Sequence, residues 1–413
     1  MANLKEKLIQ YFTDGIKPPG RKNIGAEIEH FIVRAQSFES VPYAGANGVR
    51  AVIEKLMKLY PGASATVGED LLGFTTDEFS ITLEPAAQHE ISIAQTERVG
   101  YVESVYSDFR QKLDCILAEL GCTALNTGCR PVGDVREIPL IPKERYRLMD
   151  KHFAGTGTGG IEMMRGTCSL QVSVDYFSEE DFRRKVQAAY FYTPLFKLLC
   201  DNSAQFAGRP LTGYLKRSDI WNRTDSSRCG IPTGIFAGSY GFSDYAGFLC
   251  NMPPIFVIRD GENVPTDNMI ANEIFAGKEP IDADIEHLIS MAFPDVRLKK
   301  YIEIRGADSV PQKYMLAYCA LIKGLMYSDD ALDHAQYHIR KNKMNEEAVR
   351  QAERALMHNG WDSSIYDKPA GIFAETVINM AGSSLPADER QYLSAFEDVI
   401  KYGGIAKIPE TEA

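Results

Sequence analysis

The chain has no Cys-x-x-Cys pair, although it contains eight cysteines, each isolated between Cys115 and Cys319. Zinc knuckles need paired thiols and small secreted scaffolds need a dense disulfide framework, so neither class fits and reduced thiols are expected. It also lacks an uninterrupted apolar run of membrane-spanning length, and Met1–Gln10 is an amphipathic stretch carrying Lys5, Glu6 and Lys7 rather than a leader or an anchor. Positive charge is in deficit: 45 Lys and Arg stand against 56 Asp and Glu, a formal net charge of −11. That balance excludes a general nucleic-acid binder and suits a soluble cytoplasmic protein. The glycine run Gly155-Thr-Gly-Thr-Gly-Gly160 lacks the Gly-Lys-Ser/Thr ending of a P-loop and the preceding strand of a dinucleotide fingerprint. No nucleophile-elbow pattern surrounds a serine or cysteine. No internal repeat or linker divides the 413 residues, 45% of them hydrophobic, so the reading is one continuous domain over 1–413.

Apolar spacings of three and four predict a helix over Val102–Leu120, stopped by Gly121. Shorter helices are expected over Val49–Tyr60, Glu179–Cys200, Met315–Tyr327, Asn345–His358 and Ala387–Tyr402, each closed by a breaker or a loss of periodicity. The chain is therefore expected to be mostly helical after about residue 312.

Between these helices lie strand patterns with unusual polar content. In Gly25-Ala-Glu-Ile-Glu-His-Phe-Ile-Val33 the period of two places Glu27, Glu29, Phe31 and Val33 on one face and Ala26, Ile28, His30 and Ile32 on the other. Two neighbouring carboxylates on a half-buried strand face repel each other and are costly to desolvate, which points to a cation beside them. A hairpin-like pair runs from Ile81 to Ile93 and carries Glu84, Gln88 and Glu90. Thr167–Asp175 alternates Cys168, Leu170, Val172 and Val174 with Ser169, Gln171, Ser173 and Asp175, and Tyr301–Asp308 sets Glu303 and Arg305 on one face. Each glutamate alone reads as an ordinary surface carboxylate. Glu27, Glu29, Glu84, Glu90 and Glu303, spread over separate strands where solubility does not require them, read together as oxygen ligands of a hard divalent cation such as Mg²⁺. Arg305, Arg145 and Arg228, with the glycine-rich loops at 151–160 and 221–241, add what phosphoryl transfer needs, since arginines neutralise the charge that builds on the transferred group. His30 and His89 fall on the opposite parity from the glutamates and read as packed side chains. Trp221, beside Arg223 and Arg228, reads as a packing residue or a pocket wall.

The ordered set of these motifs resembles the plant-type glutamate–cysteine ligases, a carboxylate-amine ligase group. The family's Gly-Thr-Glu-His-Glu-Lys-Phe is similar to Gly25-Ala-Glu-Ile-Glu-His-Phe31, and its Leu-Glu-Pro-Gly-Gly-Gln-x-Glu-Leu-Ser to Leu83-Glu-Pro-Ala-Ala-Gln-His-Glu-Ile-Ser92. Ile138–Tyr146, Met163-Met164, Thr167–Tyr176, Ile220-Trp221 with Thr224-Asp225 and Arg228-Cys-Gly230, Phe293–Lys299 and Tyr301–Asp308 also have counterparts. The resemblance implies an α+β, glutamine-synthetase-like fold, in which a curved, mainly antiparallel sheet forms an open half-barrel with packed helices. It implies an ADP-forming ligase: the γ-carboxylate of glutamate attacks the terminal phosphate of ATP, and an amine, in the simplest case cysteine, displaces phosphate from the γ-glutamyl phosphate as the first step of glutathione or related thiol biosynthesis. By that resemblance Glu27, Glu29, Glu84, Glu90 and Glu303 hold Mg²⁺ with ATP as co-substrate, and Arg305 faces the transferring phosphoryl group. Arg228 grips a carboxylate of the amino-acid substrate, and Gln171, Trp221 and Arg145 shape the substrate pocket. The implied partners are small molecules, with no nucleic acid and no membrane.

Four departures stand out. The family's Met-Met-Leu-Arg-Thr-Cys is Met163-Met-Arg-Gly-Thr-Cys168 here, which on a strand would turn the arginine to the other face. Gly-Gly of the second motif is Ala86-Ala87, an asparagine is Ser173, and Gly-Gly after the last motif is Ser309-Val310, where valine is ill suited to positive φ. These positions are expected close to bound substrates, which leaves the amine acceptor open. The alternatives are a ligase for another amine or carboxylate, and a non-catalytic nucleotide-binding homologue.

Overall fold

Period-two alternation builds one nine-stranded sheet. Its strands are β1 (Ile24–Arg34), β2 (Ser64–Ala65), β3 (Phe74–Thr75), β4 (Phe79–Leu83), β5 (His89–Thr96), β6 (Cys122–Leu125), β7 (Ser169–Val174), β8 (Val296–Leu298) and β9 (Ile302–Asp308). The computed structural model describes residues 3–66 and 70–409. The strand order is β8-β9-β7-β1-β5-β4-β3-β2, with β6 pairing the far end of β1. Every pairing in the sheet is antiparallel and the sheet does not close into a barrel. The expected antiparallel, unclosed sheet with packed helices is therefore the fold.

One face of the sheet is the core. Ala26, Ile28 and Ile32 of β1, Ile91 of β5, Leu170 and Val172 of β7, and Ile302 and Ile304 of β9 are all buried there. The helices introduced along the chain are α1 (Leu4–Thr13), α2 (Val49–Met57), α3 (Val99–Glu119), α4 (Glu144–Ala154), α5 (Gly160–Gly166), α6 (Glu179–Leu199) and α7 (Lys216–Asn222). α3 covers β5 and β6, α6 covers β9, and the Gln312–Met326 helix covers β7 and β1. The last of these is apolar around most of its circumference because Ala370–Ser384 closes its other side. Each fully buried leucine or phenylalanine in this layer contributes roughly 1.5–3 kcal/mol.

Beyond Gln312 the chain runs through the helices Gln312–Met326, Asp329–Lys341, Glu346–Asn359 and Ala370–Ser384, interrupted by the short hairpin of Ser364–Ile365 and Lys368–Pro369. One sequence expectation differs from what forms. The helix expected over Ala387–Tyr402 is three pieces, Ala387–Arg390, a 3₁₀ turn at Gln391–Ser394, and Ala395–Tyr402. The break follows Glu389, whose carboxylate is pulled inward to the Lys323 ammonium and the Val99 amide. At the N-terminus, Met1 and Ala2 of the amphipathic stretch lie outside the described residues, and the helix starts after Asn3 with a reciprocal Asn3–Glu6 cap, both hydrogen bonds at 3.0 Å. His30 and His89 lie on the core face. His30 bonds the His89 carbonyl and the Tyr106 hydroxyl, and His89 stacks on Phe109.

Candidate active site

The face of β1 opposite the core presents Glu27 and Glu29 side by side along the strand. Register with the two neighbouring strands brings further polar side chains to them. Glu29 lies opposite Glu90 of β5, and Glu27 lies opposite Gln171 of β7. The Glu29 carboxylate accepts from the Ser169 amide at 2.7 Å and the Ser169 hydroxyl at 2.8 Å, and Glu90 accepts from the Thr82 hydroxyl at 2.7 Å. Glu84 sits in the tight turn between β4 and β5, closed by Glu84 N–H to the Gln88 carbonyl and by Ala87 N–H to the Glu84 carbonyl. Ala87 has φ of 61°, where the family's glycine would be unstrained.

A basic wall faces these acids. The antiparallel hairpin of β8 and β9 places Arg297 opposite Glu303, with Lys299 and Arg305 on the same face. Glu303 is fully buried and takes all three cations: Arg297 at 2.7 Å, Lys299 at 2.9 Å and Arg305 at 2.8 Å. Arg305 also donates to the Gln171 amide oxygen, tying the basic wall to β7.

Next to Arg305 the β9–β7 ladder skips from Ile304 to Ala307. This bulge frees the carbonyls of Arg305 and Gly306 from the sheet. The Arg217 guanidinium, carried by α7, donates to both at 3.3 and 3.4 Å. Arg217 is only 5% exposed, its Nε has no partner, and it makes no ion pair among the described residues. Trp221, one turn on, has an equally orphaned indole N–H. Two buried donors without acceptors, both lining one cavity, mark a place where a ligand's oxygen atoms belong.

That cavity has a volume of about 290 Å³, and Glu27, Glu29, Glu84, Glu90, Arg145, Gln171, Trp221 and Arg305 all line it. Arg145, at the start of α4, is held by the Ser290 hydroxyl and carbonyl at 3.1 and 2.9 Å. Sequence reasoning did not single out Arg217, Arg297 or Lys299, which also line it. Arg297 and Lys299 were legible as alternate residues of one short strand, but nothing local marks Arg217. Met149, Met163, Met164 and Phe293 supply an apolar flank.

Two assigned roles need correction. Arg228 is not at the cavity: it is fully buried behind it, with Nε 2.6 Å from Asp225 and both Nη atoms donating to the Met291 and Pro253 carbonyls, so all three guanidinium nitrogens are engaged within the protein. Glu303 is not an open metal ligand, since both of its oxygens are occupied by cations. The Gln88 amide, on the same hairpin as Glu84 and Glu90, is consumed by the Ala86 amide and the Met164 and Thr167 carbonyls.

The departing residues likewise lie off this cavity. Arg165 belongs to α5 rather than to a strand, and pairs with Asp150 while donating to the Arg136 and Ile138 carbonyls. Val310 is buried without positive φ, and the Ser309 hydroxyl donates to the Glu29 carbonyl at 2.6 Å. The changed residues do not line the charged cavity themselves but sit beside residues that do: Ala86-Ala87 lie between Pro85 and Gln88, and Arg165-Gly166 between Met164 and Thr167.

The electrostatics separate the two walls. Burial raises the Glu29 carboxyl to about 7, helped by Glu84 and opposed by Arg217 and the Ser169 bonds. Burial, then Glu303, raises Glu27, and burial together with Glu27, Glu84 and Glu29 pushes Glu90 well above the usual carboxylate range. Burial acts on Glu303 in the same direction, but Arg297, Lys299 and Arg305 overcome it and hold its carboxyl well below that range. Among the described residues no three His, Cys, Asp or Glu side chains are close enough to hold a metal ion by themselves. The all-oxygen donor set of Glu27, Glu29, Glu84 and Glu90 nevertheless fits Mg²⁺, which is ordinarily held by one or two carboxylates together with substrate phosphates and water. Adding positive charge there relieves the mutual repulsion of these carboxylates.

Comparison with known proteins follows the same lines. The sequence model of glutamate–cysteine ligase family 2 (GCS2) matches residues 23–406. The chain is 29% identical over 415 residues to a protein named "Glutamate--cysteine ligase, chloroplastic" from Arabidopsis thaliana, covering 97% of this chain and 77% of that protein. To the protein of the same name from Medicago truncatula it is 29% identical over 414 residues, covering 97% and 80%. Among solved structures, a Francisella tularensis glutamate–cysteine ligase in complex with AMP superposes with a TM-score of 0.56 at 12% identity, covering 95% of this chain and 84% of that one. At that identity the likeness is one of fold.

Proposed function

Because the chain belongs to glutamate–cysteine ligase family 2, we propose that the cavity between its acidic and basic walls is the active centre of an ATP-dependent ligase that makes γ-glutamylcysteine. The observation that carries this reading is the juxtaposition in one cavity of Glu27, Glu29, Glu84 and Glu90 with Arg145, Arg217, Arg297, Lys299 and Arg305. Two polyanionic or zwitterionic reactants and a divalent cation need both signs of charge within a few ångströms, and no single-signed pocket provides that.

In the reaction a γ-carboxylate oxygen of glutamate attacks the terminal phosphorus of ATP, the bond to the bridging oxygen breaks, and ADP leaves. The cysteine nitrogen then attacks the acyl carbon of the γ-glutamyl phosphate, the acyl C–O bond breaks, phosphate departs, and the amine loses a proton. Arg305, already oriented by Gln171 and Glu303, is placed to neutralise the charge that builds on the transferring group. Lys299 and Arg297 extend that wall. Arg217, with its unpaired Nε beside the Trp221 N–H, takes the carboxylate-gripping part that the resemblance assigns to Arg228. Mg²⁺, held by Glu27, Glu29, Glu84 and Glu90, would supply further charge neutralisation on the nucleotide's phosphates. The methionines and Phe293 form a soft apolar flank suited to a thiol-bearing side chain.

The test is phosphate release from ATP, Mg²⁺ and glutamate against a panel of amines. Stimulation by cysteine and appearance of γ-glutamylcysteine are expected. Stimulation by a different amine with none by cysteine sinks the reading.

A further inference from the structure

A further group of buried charges lies behind the basic wall and takes no part in the chemistry above. Lys197, on α6, is 4% exposed, and its ammonium donates to Asp295 at 3.0 Å and to Glu353 at 2.8 Å. Glu353 is buried on the Glu346–Asn359 helix, and Asp295 immediately precedes β8. Burial works against the charge on Lys197, yet Asp295 and Glu353 overcome it and hold the ammonium above the usual lysine range. Two carboxylates and one cation in the interior are a poor route to stability, since apolar side chains of similar volume often serve a fold as well. Their placement supplies another reason.

The network closes on the backbone of Arg305 from two sides. The Asp295 carbonyl accepts from the Arg305 N–H at 2.9 Å, and the Asp295 N–H donates to the Gly230 carbonyl at 3.0 Å. Arg305 thus takes its hold from the β8 side at the point where β9 slips its register with β7. On the other side, a Cβ built on Gly306 meets the Lys197 Cε at 3.3 Å and Cγ at 3.4 Å, closer than side chains ordinarily pack. Gly306 has no positive φ, so it is the lysine stem lying across the bulge, and not the backbone, that calls for a glycine. Lys197 and Asp295 also line a void of about 10 Å³ together with Arg217, Trp221 and Arg305, which places them directly behind the charged cavity.

We propose that Lys197 is a positioning residue for phosphoryl transfer: clamped by Asp295 and Glu353, it fixes the bulge so that the Arg305 guanidinium stays on the transferring group. This rests on the ligase reading above. A bulge bends and twists its strand, and an arginine carried on one keeps its aim only if the bulge is braced.

The experiment is a double-mutant cycle on the full chain, read as kcat for phosphate release, with folding checked by circular dichroism and thermal unfolding. Lys197→Met keeps the stem and removes the charge. It is expected to lower kcat about a hundredfold, as displacement of a reacting group by an ångström does, with the KM for ATP within about threefold of wild type. In an Arg305→Ala background the same change should cost less than about twofold, because the side chain it positions is gone. A purely structural role would lower kcat equally in both backgrounds. Gly306→Ala keeps all three charges and sets a methyl group against the clamped stem, so it serves even where Lys197→Met does not fold. It should lower kcat about tenfold when Arg305 is present and have no effect when Arg305 is absent. An additive cycle, or an undiminished kcat in either folded variant, overturns the inference while leaving the ligase reading in place. A wild type that releases no phosphate with glutamate and any amine removes both.

Discussion

Arg217 and Arg305 are tied together through the backbone: the Arg217 guanidinium donates to the Arg305 carbonyl at 3.3 Å, while Arg305 itself points to Glu303 and Gln171. Two like charges are thereby held in one cavity. The β-bulge that releases the Arg305 and Gly306 carbonyls makes this possible, because a regular ladder would have used them. The pair defines two cationic stations with different anchors, and they should respond differently to mutation.

Arg217→Lys keeps the charge but loses the forked donor geometry, so the KM for glutamate should rise by at least about tenfold with a smaller change for ATP. Arg228→Met should instead remove the guanidinium from the nearly buried Asp225, which keeps only its His152 and Ser227 contacts, and destabilise the fold by about 3 kcal/mol. Steady-state kinetics of the first and urea unfolding of the second make the comparison. A selective glutamate defect in a fully stable Arg228→Met protein would return the binding role to Arg228.

Glu29→Gln keeps one acceptor oxygen for the Ser169 amide and turns the other position into an NH₂ that can donate to the Ser169 hydroxyl, while removing a charge from the acidic wall. The fold should hold, and kcat/KM should fall by about a hundredfold, a loss of ~2.7 kcal/mol of transition-state stabilisation, with the Mg²⁺ concentration for half-activation moving upward. Unaltered Mg²⁺ dependence in a Glu29→Gln protein would exclude this carboxylate as a ligand.

The pH dependence has a definite sign. Glu29 carries a folded value of about 7 against an unfolded 4.5, so between those values the folded state holds the proton that the unfolded chain has released. Its contribution is fully present below about pH 4.5 and is lost as pH rises towards 7. Glu27 and Glu90 are shifted in the same direction. Mg²⁺ binds the deprotonated carboxylates, so the rise in Tm on adding MgCl₂ with ATP should be larger at pH 8 than at pH 5.5. Glu303 is shifted the other way; its contribution is present above 4.5 and lost on acidification through its lowered folded value. Thermal unfolding across pH, with and without Mg²⁺ and ATP, measures both trends, and a larger Mg²⁺ effect at the lower pH contradicts the assignment.

Ala87 occupies the left-handed region at φ 61° in the turn that carries Glu84. Ala87→Gly removes a backbone strain of about 1–2 kcal/mol at some cost in unfolded-state entropy, so a net gain of up to about 1 kcal/mol in unfolding free energy is expected. A loss of stability would show that the turn is not strained.

The strands were legible because one local rule, alternation, sets which side chains share a face. Glu27 with Glu29, and Glu303 with Arg305, follow from it directly, and burial of Ala26, Ile28 and Ile304 on the opposite faces satisfies it. Helix existence was legible for the same reason, while the 3₁₀ break at Gln391–Ser394 was not, since it answers to Lys323 reaching Glu389 across 66 residues.

By itself the sequence determined the sheet-forming segments, the polar face of each, and the family to which their order belongs. Only the tertiary structure decided which charges neutralise each other. Glu303 left the set of open carboxylates because hairpin register set Arg297 and Lys299 against it, Arg228 was claimed by Asp225, and Arg217 reached the cavity through a bulge. Charge pairing depends on distances of a few ångströms between residues far apart in the chain, and those distances exist only after the strands have found their register.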